Sequence, residues 1–253
     1  MPLELITIPC LTDNYAYLLH NPATGQTALV DAPQAAPIQA VLEARGWRLT
    51  DLLITHHHGD HIDAVAALRG GARVIGAGAD AHRLPPLDLA VAGGDTISIC
   101  GDEVRVIDVP GHTVGHIAFH LPASGYAFTA DSLMGLGCGR LFEGTPAQMW
   151  DSLSRLAALP PDTLICSGHE YTQSNGRFAL TVDPGNTALA DRVAAIAASR
   201  AAGRPTIPVS LALELATNPF LRAADPAIAA RVGLPGAPAV DVFAEVRRRK
   251  DDF

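Results

Sequence analysis

Hydrophobic residues in the first two thirds of the chain form short runs that end at glycine, proline, asparagine or aspartate, a pattern typical of β-strands. The predicted strands are Leu3–Ile8, Tyr15–Leu19, Ala28–Asp31, Leu52–Thr55, Val104–Val109, Ile117–His120, Tyr126–Thr129 and Thr163–Cys166. Segments with helical periodicity predict helices over Pro37–Arg45, Ile62–Leu68 and Ala147–Leu159. Thr145 is the predicted N-cap of the last helix, with Pro146 in its first turn. Strands and helices mixed in this way predict a layered α/β fold.

The pattern changes after about residue 171, where strand-like runs give way to helical periodicity. Helices are predicted over Asn186–Ala202, Leu211–Ala216 and Val242–Lys250, separated by loops that contain proline and glycine. We therefore predict an α/β domain over residues 1–169 and a small all-helical domain over residues 170–253.

Composition narrows the class of protein. Hydrophobic residues make up 48% of the chain and charged residues 17%, which is typical of a packed globular protein. The formal net charge of −8 argues against a nucleic-acid or anionic-membrane partner. The four cysteines are scattered and form no C-x-x-C pair, which favours a reducing compartment. No segment resembles a signal peptide or a membrane span, so we expect a cytoplasmic protein.

Four of the ten histidines lie in the segment Thr55–His61, directly after the apolar run Leu52–Ile54. In an extended chain alternate side chains share a face, which brings His56 and His58 together and turns His57 away. Asp60 and His61 follow at the start of a helical pattern, where adjacent side chains point in different directions. They can therefore serve a second metal ion or another side of the first. Imidazole and carboxylate ligands without thiolates indicate a catalytic site for zinc, iron or manganese.

Three further candidate ligands also follow apolar strands. His112 comes after Val106–Pro110, Asp131 after the strand that ends near Thr129, and His169 after Leu164–Gly168. Loops from several strand ends can converge on one site, so these residues strengthen the metal interpretation. The alternative interpretation of Thr55–His61 is a solvated loop, or a helix start with Asp60 as N-cap.

The remaining histidines have weaker patterns. His116 and His57 are predicted to support the metal loops through hydrogen bonds. His20, His82 and His120 are predicted to be surface or structural residues.

The order H-x-H-x-D-H, Gly-His-Thr, Asp and Gly-His-Glu resembles the metallo-β-lactamase superfamily. The resemblance implies an αβ/βα four-layer sandwich with the site on its edge. It also implies two metal ions, one held by His56, His58 and His112 and the other by Asp60, His61 and His169. Asp131 matches the carboxylate that bridges the two ions.

Longer segments resemble one branch, the glyoxalase II or hydroxyacylglutathione hydrolase family. They are Cys10–Leu18, Thr55–His61, Gly137–Thr145, Gly168–Thr172, Asn218–Arg222 and Arg247–Phe253. The resemblance implies that residues 1–169 are catalytic and that the helical domain binds substrate. It implies a glutathione thioester, S-D-lactoylglutathione, as the small-molecule substrate. Arg140, Tyr171, Arg247 and Lys250 match the family's glutathione-binding positions.

Two departures from the family concern affinity for glutathione. Phe142 stands where relatives often carry tyrosine, and Gly59 occupies a position that is often bulkier. From the residues alone, Arg247–Lys250 also fits a solvated helix end, where positive charge favours the helix dipole.

The chemistry fits hydrolysis of a thioester. Two divalent ions, with zinc expected and iron or manganese as alternatives, lower the pKa of a shared water molecule and polarise a carbonyl oxygen. Asp60 and Asp131 are the carboxylates to which we assign catalytic roles. The alternatives are a mononuclear iron persulfide dioxygenase of the same superfamily and an inactive interaction module. We expect a monomer.

Overall fold

A computed structural model describes residues 3–253, which divide into two compact units. The first unit comprises the chain up to Asp108 together with Gly115–Ala130, and the second comprises Val109–Val114 together with Asp131–Phe253. The predicted domain boundary at residue 169 stays a prediction. Over residues 3–253, no helix is both long enough and apolar enough to cross a membrane.

The first unit contains a mixed six-stranded sheet. Its strands, in spatial order, are β1 (Glu4–Cys10), β2 (Asn14–His20), β3 (Thr27–Val30), β4 (Asp51–Leu53), β5 (Arg73–Ala77) and β6 (Leu89–Val91). The first three strands are antiparallel, and β3 to β6 are parallel. Helix α1 (Ala35–Arg45) packs Ile38 into the core formed with Leu18, Leu29 and Leu52. The strands β3 and β4 are buried throughout, as expected for parallel strands inside a sheet.

An antiparallel ladder completes the strands of this unit. It runs β7 (Thr96–Ile99), β8 (Asp102–Asp108), β9 (Ile117–Leu121) and β10 (Tyr126–Ala130), each paired with the next. The predicted strands in this region are confirmed within one or two residues. Strands β5, β6 and β7 were not predicted, because they are short and border loops rich in glycine and proline.

The predicted helix over Ile62–Leu68 is wrong. The chain forms two single turns instead, α2 (Gly59–Ile62) and α3 (Val65–Leu68). Two backbone groups that would form hydrogen bonds within a continuous helix bind the backbone of Ala32 instead. The His61 carbonyl accepts from Ala32 N at 2.7 Å, and Ala64 N donates to the Ala32 carbonyl at 2.9 Å. The interruption therefore ties the histidine-rich segment to the end of β3.

The second unit contains two small strand pairs and six helices within the described residues. The pairs are β11 (Leu133–Met134) with β12 (Gly137–Cys138), and β13 (Leu164–Ser167) with β14 (Val209–Ser210). The helices are α4 (Pro146–Ala157), α5 (Thr172–Val182), α6 (Thr187–Ala201), α7 (Leu211–Thr217), α8 (Pro226–Arg231) and α9 (Ala239–Asp251). The tail is therefore helical except for the two residues of β14, and the α/β class is confirmed.

Helix α4 begins as predicted. The hydroxyl of Thr145 accepts a hydrogen bond from Gln148 N, and the Gln148 side chain accepts one from Thr145 N, which forms a capping box. Pro146 occupies the first turn, where its missing N–H costs nothing. Helices α5 and α8 were missed, since α5 carries a central glycine and α8 spans only six residues.

A buried polar network holds the β11–β12 hairpin within the second unit. Glu214 on α7 pairs with Arg192 on α6, and its Oε2 accepts from Leu136 N at 3.0 Å. The Asn218 amide donates to Glu214 Oε2 and to the carbonyls of Met134 and Gly137. Glu214 and Asn218 are fully buried. The hairpin between them and Asp131 is thus fixed by buried, satisfied polar groups.

We expect Arg192→Ala to lower the free energy of unfolding by about 3–5 kcal/mol, because it leaves the Glu214 carboxylate buried without its counter-ion. Denaturant unfolding would measure the change. Arg155→Ala is the control, since Arg155 forms an exposed ion pair with Asp151 and should cost less than about 1 kcal/mol. Equal losses in the two variants would contradict the prediction.

Candidate metal centre

In the first unit, the segment after β4 places two histidine rings together. Nε2 of His56 lies 3.2 Å from Nδ1 of His58. The ring of His57 points elsewhere, with Nδ1 3.1 Å from Oδ2 of Asp80. The predicted alternation along an extended chain is therefore confirmed. Ligand atoms of His56 and His61, and of Asp60 and His61, also lie within 4.8 Å of each other.

Asp31, at the end of β3, orients two of these rings. Its Oδ2 lies 2.8 Å from Nδ1 of His61 and also accepts the Thr55 hydroxyl at 2.8 Å. A carboxylate only accepts, so Nδ1 of His61 carries the hydrogen. The Thr55 hydroxyl donates its hydrogen to Asp31, so it acts as the acceptor in its hydrogen bond with Nδ1 of His56 at 3.0 Å. Both rings therefore direct the lone pair of Nε2 away from these partners, as a metal ligand requires.

Asp60 and His116 complete the cluster of the first unit. The Asn14 amide donates to Oδ2 and to the backbone carbonyl of Asp60, both at 3.0 Å, and so orients this carboxylate. Its Oδ2 lies 3.9 Å from Nε2 of His61. The His116 ring stacks on His56 with centroids 4.6 Å apart. His116 thus contacts the ligand loop by ring stacking, and its predicted hydrogen bonds to that loop stay a prediction.

In the second unit, Asp131 contacts two histidines. Its Oδ2 lies 3.4 Å from Nε2 of His112 and 3.3 Å from Nε2 of His169. The carbonyl of Arg140 accepts from Nδ1 of His112 at 2.8 Å, which again leaves Nε2 as the ligand atom. All three side chains are buried. One carboxylate oxygen that faces two imidazoles is the arrangement expected of a bridging ligand.

Glycines allow the segment Gly137–Thr145 to lie against these ligands. A Cβ on Gly139 would stand 1.9 Å from the carbonyl oxygen of Asp131 and 3.0 Å from Nδ1 of His112. A Cβ on Gly144 would stand 2.6 Å from Cα of Gly111. Any side chain at Gly139 would therefore displace the Asp131 backbone or the His112 ring.

The residues of each unit fit a divalent metal ion. Two ligands about 2.0–2.1 Å from one ion at a tetrahedral angle lie roughly 3.3–3.4 Å apart. The pairs His56–His58, His112–Asp131 and His169–Asp131 have ligand atoms 3.2, 3.4 and 3.3 Å apart. The donors are imidazole nitrogens and carboxylate oxygens, which suit zinc, iron and manganese alike.

The cysteines take no part in this donor set. All four are free and buried. Burial raises the pKa of the Cys10 and Cys138 thiols to about 11, and burial with nearby Asp51 raises that of Cys100 to about 12. Burial also raises the pKa of Cys166. Protonated thiols are poor metal ligands, in agreement with the predicted nitrogen and oxygen site.

Three of the predicted substrate-binding residues lie at the end of α9 or near it. Arg140 is exposed, with Nε 3.3 Å from Oδ1 of Asp251. Arg247 is only 6% exposed and donates to the Cys138 carbonyl at 2.9 Å and to Asp251 at 2.8 Å. Nζ of Lys250 lies over the rings of Phe178 and Phe253, at 5.5 and 5.2 Å. The segment is therefore anchored by Arg247 rather than solvated throughout.

Two exposed aromatic rings flank the histidines of the second unit. Tyr171 stacks on His169 with centroids 4.7 Å apart. Phe142 contacts His112 edge-on, with centroids 5.3 Å apart. Tyr171, the fourth predicted substrate-binding residue, thus lies beside a metal-ligand candidate.

Comparison with known proteins identifies the family. The family model for the metallo-beta-lactamase superfamily matches residues 12–169, and the model for the hydroxyacylglutathione hydrolase C-terminus matches residues 170–253. A curated relative from Ruegeria pomeroyi, named hydroxyacylglutathione hydrolase, is 66% identical over 255 residues, which is 100% of both chains. The chain belongs to the hydroxyacylglutathione hydrolase family. The resemblance seen in the sequence is confirmed.

Two solved structures have a similar fold. The crystal structure of ETHE1 from Myxococcus xanthus has a TM-score of 0.66 at 26% identity, and the match covers 98% of this chain and 90% of that one. The protein TTHA1623, solved in a di-iron-bound form, has a TM-score of 0.61 at 26% identity and covers 86% and 100%. The chain therefore has the metallo-β-lactamase fold with a C-terminal helical region. The family and the clustered histidines and aspartates indicate that it binds divalent metal.

Sequence reasoning missed two residues that bear on the site. Asp31 and Asn14 orient the side chains of candidate ligands. A signal existed for Asp31, which follows a buried strand as the candidate ligands do. No local signal marks Asn14, because its role depends on a contact with Asp60, which is distant in sequence.

We expect Asp31→Asn to weaken metal binding by about 10–100-fold, because the amide no longer accepts the Nδ1 hydrogen of His61 as a carboxylate does. Asparagine tolerates the left-handed backbone at this position, where φ is 56°. Metal content would be measured after equilibration against a graded chelator. Asp88→Asn, in an exposed ion pair with Arg69, is the control. Wild-type retention of metal by Asp31→Asn would contradict this role.

Proposed function

We propose that the protein is a thioester hydrolase that cleaves S-D-lactoylglutathione to D-lactate and glutathione. The observation that carries the substrate is full-length identity of 66% to a relative named hydroxyacylglutathione hydrolase. Support for the chemistry comes from the ligand atoms of each unit, which converge at the separations of metal ligands.

The proposed centre binds two metal ions through seven residues: His56, His58 and His112 for one ion, Asp60, His61 and His169 for the other, and Asp131 for both. We propose zinc as the metal, with iron or manganese as alternatives, and a related protein has been solved in a di-iron-bound form. Two bound ions supply hydroxide near neutral pH and polarise the thioester carbonyl.

We propose that Asp60 accepts a proton from the attacking water molecule. The Asn14 amide donates to Oδ2 of Asp60 and orients the carboxylate, and the Asp60 side chain is 41% exposed, so the carboxylate can contact a water molecule and accept a proton from it. The leaving group is a thiolate with a parent pKa of about 8.5, which departs without a strong general acid. Asp131 contributes a negative charge beside Nε2 of His112 and Nε2 of His169.

Arg140, Tyr171, Arg247 and Lys250 are proposed to bind the glutathione part of the substrate. Arg140 has an exposed planar guanidinium, which suits a carboxylate. Arg247 is buried and donates to Asp251. We therefore propose that it contributes positive charge and positions Asp251, and that it does not donate directly to the substrate. Tyr171 offers an exposed ring beside His169.

We also propose where the protein is located and how it assembles. Four free, buried cysteines support a reducing, cytoplasmic location. We propose a small-molecule substrate, no nucleic-acid or membrane partner, and a monomer.

Metal-analysed protein is expected to cleave S-D-lactoylglutathione, followed as loss of the thioester. His58→Ala should lose metal and activity together, since it removes a nitrogen 3.2 Å from that of His56. His82→Ala, an exposed histidine remote from the cluster in sequence, is the control and should keep both. Metal-loaded wild type that leaves the thioester intact, or that consumes oxygen with glutathione persulfide, would overturn the proposal.

We expect Arg140→Ala to raise KM with little change in kcat, because the side chain binds ground state and transition state alike. S-lactoyl cysteamine lacks the peptide carboxylates, so its kinetics should not change. Arg204→Ala, an exposed arginine in the loop after α6, is the control. A large fall in kcat would instead give Arg140 a role in the transition state.

A further inference from the structure

Two segments of the second unit lie side by side at His112. We call Gly111–Val114 the His112 loop and Arg140–Gly144 the clamp segment. Nδ1 of His112 donates to the carbonyl of Arg140 at 2.8 Å, and the carbonyl of His112 accepts from Phe142 N at 3.2 Å. The clamp segment therefore holds both the ring and the backbone of this candidate ligand.

The first half of the His112 loop is held by backbone groups and a buried hydroxyl. Gly144 N donates to the Gly111 carbonyl at 3.0 Å, and a Cβ on Gly144 would stand 2.6 Å from Cα of Gly111. One residue earlier, the hydroxyl of Ser152, a buried residue of α4, donates to the Pro110 carbonyl at 2.7 Å. These contacts fix the chain as far as the residue before His112.

The second half of the His112 loop is held by the side chain of Glu143, whose Oε2 accepts from Val114 N at 2.8 Å. Val114 is the last residue of the loop before the chain enters the first unit at Gly115. Glycine restricts the backbone least, so Gly115 does little to limit the movement of Val114. A charged acceptor forms a stronger hydrogen bond than a neutral one, so the carboxylate suits this task. Glu143 therefore closes the clamp on the far side of His112.

Exposure distinguishes this last hydrogen bond from the buried contact of Ser152. Glu143 is exposed, and the relative exposure of Val114 is 54%. Exposed loops open locally at a lower free energy than the whole fold, so loss of a bond in such a loop has little effect on global unfolding. The loop must be ordered before a metal ion can bind Nε2 of His112. Loss of the bond should therefore weaken metal binding while global stability stays unchanged.

We infer that Glu143 is a positioning residue for the metal centre, which holds the His112 loop so that Nε2 of His112 stays where a metal ion binds. The inference rests on the proposed function, because it assumes that His112 binds one of two metal ions. The Arg140 carbonyl sets the orientation of the ring, and Glu143 fixes the backbone that carries the ring. Partners of this kind affect metal affinity although they do not touch the metal.

The test compares Glu143→Ala with Glu143→Gln and with the control Glu103→Ala. Metal retention is measured by equilibration against a graded chelator, and the two metal equivalents are counted separately. In Glu143→Ala the dissociation constant of one metal ion should rise about three- to tenfold, the size expected for loss of one hydrogen bond. The other ion should be retained as in wild type. Glu103 is an exposed glutamate that accepts from Arg105 at 2.8 Å, so its removal should leave both constants unchanged.

The glutamine variant separates position from charge. The amide oxygen of glutamine can accept from Val114 N, but the side chain carries no negative charge. Glu143→Gln should therefore restore most of the metal affinity. If Glu143→Gln loses as much affinity as Glu143→Ala, the carboxylate acts through its charge, and the positioning role is refuted.

Two further measurements separate position from stability. The visible absorption of cobalt-substituted protein reports the geometry of the ligands; it should change in Glu143→Ala and return in Glu143→Gln. The denaturant midpoint of the metal-free protein should be the same in all variants. A lower midpoint with unchanged metal affinity would refute the positioning role.

The outcomes for the two proposals are distinct. Wild type that binds two metal ions but leaves the thioester intact would refute the proposed function and not the role of Glu143. Wild type that cleaves the thioester, with Glu143→Ala indistinguishable from Glu103→Ala in metal retention, would refute the role of Glu143 alone.

Discussion

The hydrogen bonds that Nδ1 donates in three of the candidate ligand histidines are the constraint on which the geometry of the candidate site depends. Asp31, through Oδ2, and the carbonyl of Arg140 accept from His61 and His112, while Thr55 accepts from His56. Each bond fixes one tautomer and one ring orientation, and leaves Nε2 with its lone pair. A histidine without such a partner would rotate and could protonate, and either change would weaken a metal ligand.

Two features of the backbone support these hydrogen bonds. Ala32 breaks the helix after His61 and so anchors the loop beside Asp31. In the second unit, Gly139 lets the Arg140 segment approach Asp131 closely enough for the Arg140 carbonyl to reach His112. The buried Arg192–Glu214–Asn218 network then holds the hairpin between Asp131 and that segment. The Arg140 segment therefore orients the His112 ring through its backbone carbonyl.

Charge is distributed unevenly over this acidic protein, whose formal net charge is −8. Most exposed arginines are neutralised by a neighbouring carboxylate, as with Arg69 and Asp88. Around α9 the balance is different, because Arg140 and Arg247 share the single carboxylate of Asp251. Arg247 is buried and donates to the Cys138 carbonyl, so its guanidinium is held in one position.

The sequence by itself determined the α/β class, most strand positions, the cap of α4 and the pairing of His56 with His58. These follow from local rules: hydrophobic period, capping chemistry and the alternation of side chains along an extended segment. Tertiary structure alone decided the break between α2 and α3, the buried strand β5, and the roles of Asp31 and Asn14. Each of these depends on a partner distant in sequence, such as Ala32 for the broken helix or Asp60 for Asn14. Periodicity and propensity carry no information about such partners, which exist only after the chain has folded.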